Sequence, residues 1–226
     1  MRGLWHSLVF HFYLLTLWVR SVLRLERRSQ PVAPSTDSSG SPDIGDDTGS
    51  LETSMNETEV KFVLDDYEVL MKRLALCKAV PTEPESYYSA YYFDNANGDL
   101  EKAGVQLRFR EEGDKKFVCY KGPTTSTTLM VREELEQELQ SWTQLAAIFS
   151  RLGYSPKRQL QKLREKYRLP GVEVCVDQVW FGTFVELEGD SGAIRHWAMA
   201  LGFDWDSRIT KSYLELESDQ EAEETD

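Results

Sequence analysis

Seven short segments between residues 57 and 188 alternate side chains at a period of two, with most of their charges on one side. A helix cannot hold such a pattern on one face, whereas a strand places successive side chains on opposite faces. In "ETEVKF" the charged face carries Glu57, Glu59 and Lys61, and Val60 and Phe62 share the other. "VQLRFR" groups Gln106, Arg108 and Arg110, and "FVCYK" groups Phe117, Cys119 and Lys121. "VREELE" groups Arg132, Glu134 and Glu136, and "QKLREKY" groups Lys162, Arg164 and Lys166. "VEVCVD" and "FVELE" contribute Glu173, Cys175, Asp177, Phe184, Glu186 and Glu188.

One such face is ordinary solvated surface on a half-exposed sheet. Two features of the set point elsewhere. The faces are built from Glu, Arg and Lys, with little of the Thr and Ser of common exposed sheets. The signs also segregate: the first strand and the last two bring carboxylates, and the middle strands bring most of the cations. If the sheet closes, its lumen has an acidic wall and a basic wall. Arg and Lys match phosphate oxygens, and clustered carboxylates take hard divalent cations. Together they form a site for a metal–polyphosphate substrate.

The remaining segments set the strands in order. Asp65–Asp66 can cap a helix over 66–78, and "SYYSAYYFD" (86–94) reads as a strand. "DLEKAG" reads as one helical turn, and residues 105–122 as a hairpin around Gly113–Asp114. Residues 127–139 fit strand or helix, with strand favoured at their start. Amphipathic helices are expected over 141–154 and 191–203, strands over 157–169, 171–181 and 183–189, and a short last helix over 206–217. About eight strands joined largely by tight turns favour an antiparallel sheet within an α+β fold.

The chain of 226 residues carries a net charge of −12, unevenly spread. Residues 217–226, "ESDQEAEETD", hold six acids and no base and read as a disordered acidic tail. The body over 55–216 is only mildly acidic, with 21 bases and 26 acids, which argues against a nucleic-acid partner. Cys77, Cys119 and Cys175 show no zinc spacing and suit reduced thiols in a cytoplasmic compartment. No Gly-rich phosphate loop is present, and His6, His11 and His196 do not assemble a nucleophilic triad.

Residues 1–54 divide into an apolar leader and a Ser/Pro/Asp/Gly-rich linker. Residues 3–19 hold no Asp, Glu, Lys or Arg, and Arg20, Arg24, Arg27 and Arg28 follow. Three readings stay open: translation from Met55, a membrane anchor confined to residues 3–23, or a signal or amphipathic peptide. Oligomeric state is not legible.

In order along residues 55–216, these elements resemble the CYTH family, also called triphosphate tunnel metalloenzymes. Glu57, Glu59 and Lys61 stand as its ExExK, and Arg108 and Arg110 as its R-x-R. "YKGP" supplies Lys121, the R-x-E strand Arg132 and Glu134, and the K-x-R strand Lys162 and Arg164. "VDQVWFGTFVELEG" supplies Asp177, Gly182, Phe184, Glu186 and Glu188, and "KSYLEL" is similar to the family's last element. The resemblance implies an eight-stranded antiparallel β-barrel, a tunnel with helices packed outside. It implies that Lys61, Arg108, Arg110, Lys121, Arg132, Lys162, Arg164 and Lys211 hold a triphosphate, Lys211 by way of a last helix plugging one end. It implies Mg²⁺ or Mn²⁺ on an acidic set of Glu57, Glu59, Glu134, Asp177, Glu186 and Glu188. Glu57, Glu59, Glu186 and Glu188 form its catalytic core. The family's activities frame three expectations: hydrolysis of a small-molecule triphosphate, inorganic triphosphate first; class IV adenylate cyclase; or a non-catalytic polyphosphate- or nucleotide-binding module. Members of the cyclase branch carry an Asp on the second strand where Ala90 stands here.

Overall fold

The structure, a computed structural model, describes residues 55–224, so the leader and linker expected over 1–54 lie outside the described residues. Eight strands form one closed antiparallel barrel. They are β1 (Met55–Val63), β2 (Val80–Asp94), β3 (Gln106–Glu112), β4 (Lys115–Lys121), β5 (Met130–Leu139), β6 (Ser155–Leu169), β7 (Val172–Val179) and β8 (Gly182–Gly189). Their order around the barrel is β1-β5-β4-β3-β2-β6-β7-β8. Closure leaves no strand edge to template pairing with another chain. It also turns one pleat face of every strand inward.

The apolar faces point outward and are covered by helices. The helices α1 (Tyr67–Leu76) and α4 (Ser191–Ala200) lie over β1, β7 and β8. Leu70, Leu74, Ile194 and Ala198 pack there against Val60, Phe62, Val174, Val176, Val185 and Leu187. Each larger side chain buried in this layer contributes about 1.5–3 kcal/mol. Both helices start where the sequence supplies a cap. Asp66 accepts from the Val69 amide, and Asp190 accepts from the amides of Gly192 and Ala193. Gly189, just before that second cap, is obligatory for a steric reason. A Cβ at that position would lie 2.2 Å from the Gly171 carbonyl oxygen. On the far side of the barrel α3 (Thr143–Arg151) brings Phe149 to stack on Phe109 of β3 at 5.2 Å. The single turn α2 (Asp99–Lys102) connects β2 to β3.

Three boundaries differ from the sequence reading. β2 begins at Val80, ahead of the expected 86, and pairs with β6 through register shifts between Pro81, Glu83 and Ser86. Pro81 and Pro84 lack amide donors, so this stretch pairs irregularly and its alternation is obscured. Residues 130–139 are strand throughout, held between β4 and β1. The last helix, α5, spans Tyr213–Glu223 rather than 206–217. Before it come a 3₁₀ turn at Trp205–Ser207 and an isolated bridge in which Ile209 pairs with Lys61. Ser212 then opens α5 with a capping box to Glu215.

Residues 217–223, expected as the start of a disordered tail, are therefore helical. Glu217 is buried and accepts from Trp180 Nε1 and Arg158 Nη2, both at 2.7 Å. Among the described residues no helix is long and apolar enough to cross a membrane.

Candidate active site in the tunnel

The alternating charged faces meet inside the barrel around a cavity of about 1000 Å³. Strand order sets their arrangement. β7, β8 and β1 are neighbours and bring Glu173, Asp177, Glu186, Glu188, Glu57 and Glu59 to one contiguous arc. β5, β4 and β3 bring Arg132, Lys121, Arg108 and Arg110 to the other side, and β6 adds Lys162, Arg164 and Lys166. Division by sign is thus a property of the folded wall, with Lys61 on the acidic arc and Glu134 and Glu136 on the basic one.

Register explains the contacts. Glu57 lies opposite Arg132, Glu59 opposite Glu188, and Lys61 opposite Glu186. Glu57 accepts from Lys121 at 2.5 Å and from Arg132 Nε at 3.0 Å. Burial opposes ionisation of Glu57, but Lys121 and Arg132 outweigh it and hold the carboxyl below its usual range. Lys61, 2% exposed, pairs with Glu59 and, at 3.3 Å, with Glu186. Burial disfavours its charge, and those two carboxylates restore it and raise it above the ordinary lysine value.

Oxygens of Glu57, Glu59 and Glu188 lie within 4.8 Å of one another. Glu188 makes no ion pair among the described residues, and its carboxyl is pushed up to about 8, first by burial and then by Glu57, Glu186 and Glu59. Three carboxyl groups converging with hard oxygen donors fit a divalent cation, whose charge would relieve the burial and crowding that raise Glu188.

The other acidic residues expected in the metal set have different surroundings. Asp177 is fully buried and accepts two bonds from Arg164 at 2.6 Å, one from Lys162 at 2.9 Å and one from the Tyr213 hydroxyl at 2.7 Å. These donors occupy its lone pairs, so the structure gives Asp177 the setting of an anchor for β6 cations. Glu186 accepts from Arg164 at 2.7 Å, and Arg164 and Lys61 overcome burial to hold it well below the usual carboxylate range. Glu134 pairs at 3.2 Å with Lys121, which it shares with Glu57, and groups with Cys119 and Glu136.

Among the expected phosphate contacts, Lys61, Arg108, Arg110, Lys121, Arg132, Lys162 and Arg164 all line the cavity. Lys211 does not: its side chain is exposed and pairs with Asp219 at 2.6 Å. The Ile209–Lys61 bridge fixes the chain direction there, and Tyr213 is the side chain that enters the lumen. The Nε donors of Arg108 and Arg110 are buried without a hydrogen-bond partner. Burial of an unpaired donor is costly, which points to an anion as their natural acceptor.

Sequence reasoning missed Tyr88, Tyr92 and Tyr213 as lumen residues. Tyr88 and Tyr92 alternate with Ala90 at a period of two, the signal used for the charged strands. They carry no charge to mark that face as lumenal. Tyr213 carried no such signal, since its partners Asp177 and Lys162 are distant in sequence.

Known proteins share this architecture. A protein of Methanocaldococcus jannaschii named "putative adenylate cyclase" is 30% identical over 173 residues, covering 72% of this chain and 98% of that protein. The structure of a conserved hypothetical protein from Pyrococcus furiosus is 25% identical with a TM-score of 0.60, covering 71% of this chain and 99% of that one. A Hippeastrum protein described as a "putative adenylyl cyclase" with a dominant triphosphatase activity shares the fold at 17% identity and a TM-score of 0.52, covering 71% and 94% of the two chains. The CYTH domain model matches residues 55–226, and on that match, with the closed barrel and its charged lumen, the chain belongs to the CYTH domain family.

Proposed function

We propose that the tunnel binds a triphosphate together with Mg²⁺ or Mn²⁺ and hydrolyses a phosphoanhydride bond, with inorganic triphosphate as the preferred substrate. One observation carries the reading: the Glu57–Glu59–Glu188 cluster shares a single cavity with Arg108 and Arg110, whose Nε donors lack partners.

Buried ion pairs are poor stabilisers compared with apolar packing. A lumen this rich in them makes sense as a binding surface. The lysines and arginines that neutralise the carboxylates are the groups a polyphosphate draws to itself. Glu57, Glu59 and Glu188 would hold a divalent cation, which would supply neutralisation of phosphate charge and a lowered pKa for a bound water. Lys121, Arg132, Arg108 and Arg110 hold phosphate oxygens from one side, and Lys162 and Arg164, anchored by Asp177, from another. Water oxygen bonds to the terminal phosphorus, the bond from that phosphorus to the bridging oxygen breaks, and the water proton passes to a carboxylate of the acidic arc. The products are phosphate and pyrophosphate.

The name of the M. jannaschii relative favours a second reading, a cyclase that makes cyclic AMP and pyrophosphate from ATP. Ala90, with Leu160 opposite it in register, leaves no carboxylate at the β2 position where the cyclase branch has one. The third reading, a polyphosphate-binding module, uses the same lumen without turnover. The full chain assayed with Mg²⁺ or Mn²⁺ on triphosphate and on ATP separates the three. Phosphate release from triphosphate, with no cyclic AMP from ATP, is expected. Rapid cyclic AMP formation from ATP would sink the hydrolase reading, and tight binding without turnover of either would favour the module.

A further inference from the structure

Tyr88 lies on the lumenal face of β2, where register places it between Glu112 of β3 and Lys162 of β6. It is 3% exposed, yet its surroundings are not those of a core tyrosine. The Arg110 and Arg164 guanidinium carbons and the Lys162 ammonium each lie 5.3 Å from its ring centroid, and the Lys166 ammonium 5.6 Å. Its hydroxyl also accepts from Arg110 Nη1 at 3.3 Å.

Each of the four also pairs with a carboxylate: Arg110 with Glu136 at 2.6 Å, Lys162 and Arg164 with Asp177 at 2.9 and 2.6 Å, and Lys166 with Glu112 at 3.0 Å. Those carboxylates accept N–H bonds that a phosphate would also take. An aromatic ring adds attraction through its quadrupole, carries no net charge and takes up no further N–H group. Barrel order gives the ring a second role. β2 separates the two basic strands β3 and β6 and contributes no cation of its own to the lumen. The ring bridges that gap.

We propose that Tyr88 is a positioning residue for the tunnel's anionic ligand: its ring gathers Arg110, Lys162, Arg164 and Lys166 from two strands into one phosphate-facing array. This rests on the reading of the lumen as a polyphosphate site, but not on hydrolysis.

The test is calorimetric binding of inorganic triphosphate to the full chain in metal-free buffer, comparing wild type, Tyr88→Phe, Tyr88→Leu and Tyr88→Met. The ring-bearing Phe variant is expected to bind within about threefold of wild type, and the two ringless variants about tenfold more weakly. Under turnover, KM rises in the ringless variants by a similar factor while kcat stays within about threefold. Two ringless side chains are included so that one misfolded protein does not decide the matter. Wild-type affinity in either folded ringless variant overturns the proposal, as does a Phe variant as weak as they are, since the hydroxyl would then be the active group. A wild type that binds triphosphate without turning it over, with the ring pattern intact, supports the positioning role and overturns only the hydrolase reading.

Discussion

Glu57 and Glu59 were readable as a pair because alternation alone puts them on one face. What alternation could not show is the third member of their cluster, Glu188, which arrives from β8 through the Glu59–Glu188 register. Glu57→Gln and Glu59→Gln are each expected to lower metal-dependent turnover at least about a hundredfold, as loss of a directly engaged charged group does. Circular dichroism should match wild type; loss of secondary structure would mean that the carboxylates serve the fold instead. Glu188 gives a pH prediction of unusual sign. Its folded value of about 8 stands above its ordinary 4.5, so the folded protein holds this proton more tightly than the unfolded chain does. Its contribution to stability is full below about 4.5 and is lost as pH rises from there to about 8. Glu188→Gln removes that loss. The melting temperature of the variant minus that of wild type, without divalent metal, should therefore grow between pH 5 and 8. A flat difference would mean that Glu188 ionises freely.

Strands β1, β3, β4, β7 and β8 were legible because each alternates between an apolar outer face and the lumen. β2 was only half legible, its first part hidden by two prolines and the lumenal face of its second part unmarked by charge. α5 was the least legible element, since its placement rests on long-range contacts. Lys211 was expected in the lumen because it stands beside the last helix, but the Ile209 bridge turns the chain so that Tyr213 enters instead. The acidic tail looked disordered by composition, yet Glu217 faces inward to Trp180 and Arg158. Glu217→Ala removes the acceptor of the half-exposed Trp180 indole N–H and of the partly buried Arg158 guanidinium, which costs about 0.5–1.5 kcal/mol. Urea unfolding followed by far-ultraviolet circular dichroism measures this directly. A change under about 0.3 kcal/mol would show that α5 is held by its apolar contacts alone.

At the scale of the whole molecule, closure of the barrel converts a half-polar sheet into a tunnel. The sequence carries the two-faced strands and their signs. Strand order does the rest, placing the acidic strands β7, β8 and β1 side by side, and no single segment encodes that adjacency. Within each arc like charges are crowded together, and ligands of opposite sign relieve that repulsion, so stability should depend on them. Mg²⁺ and triphosphate together are expected to raise the unfolding free energy by about 2.7 kcal/mol at a hundred times the dissociation constant. Differential scanning fluorimetry reads that increase, and it should vanish in Glu57→Gln.

In the proposed reaction the acidic and basic arcs act together on a metal–triphosphate. Phosphorus NMR of inorganic triphosphate incubated with the full chain tests it most directly. With Mg²⁺ or Mn²⁺, the triphosphate signals are expected to give way to phosphate and pyrophosphate in equal amounts, and chelation of the metal should stop the reaction. Triphosphate left intact with metal present, or hydrolysed equally well with the metal chelated, would contradict the account.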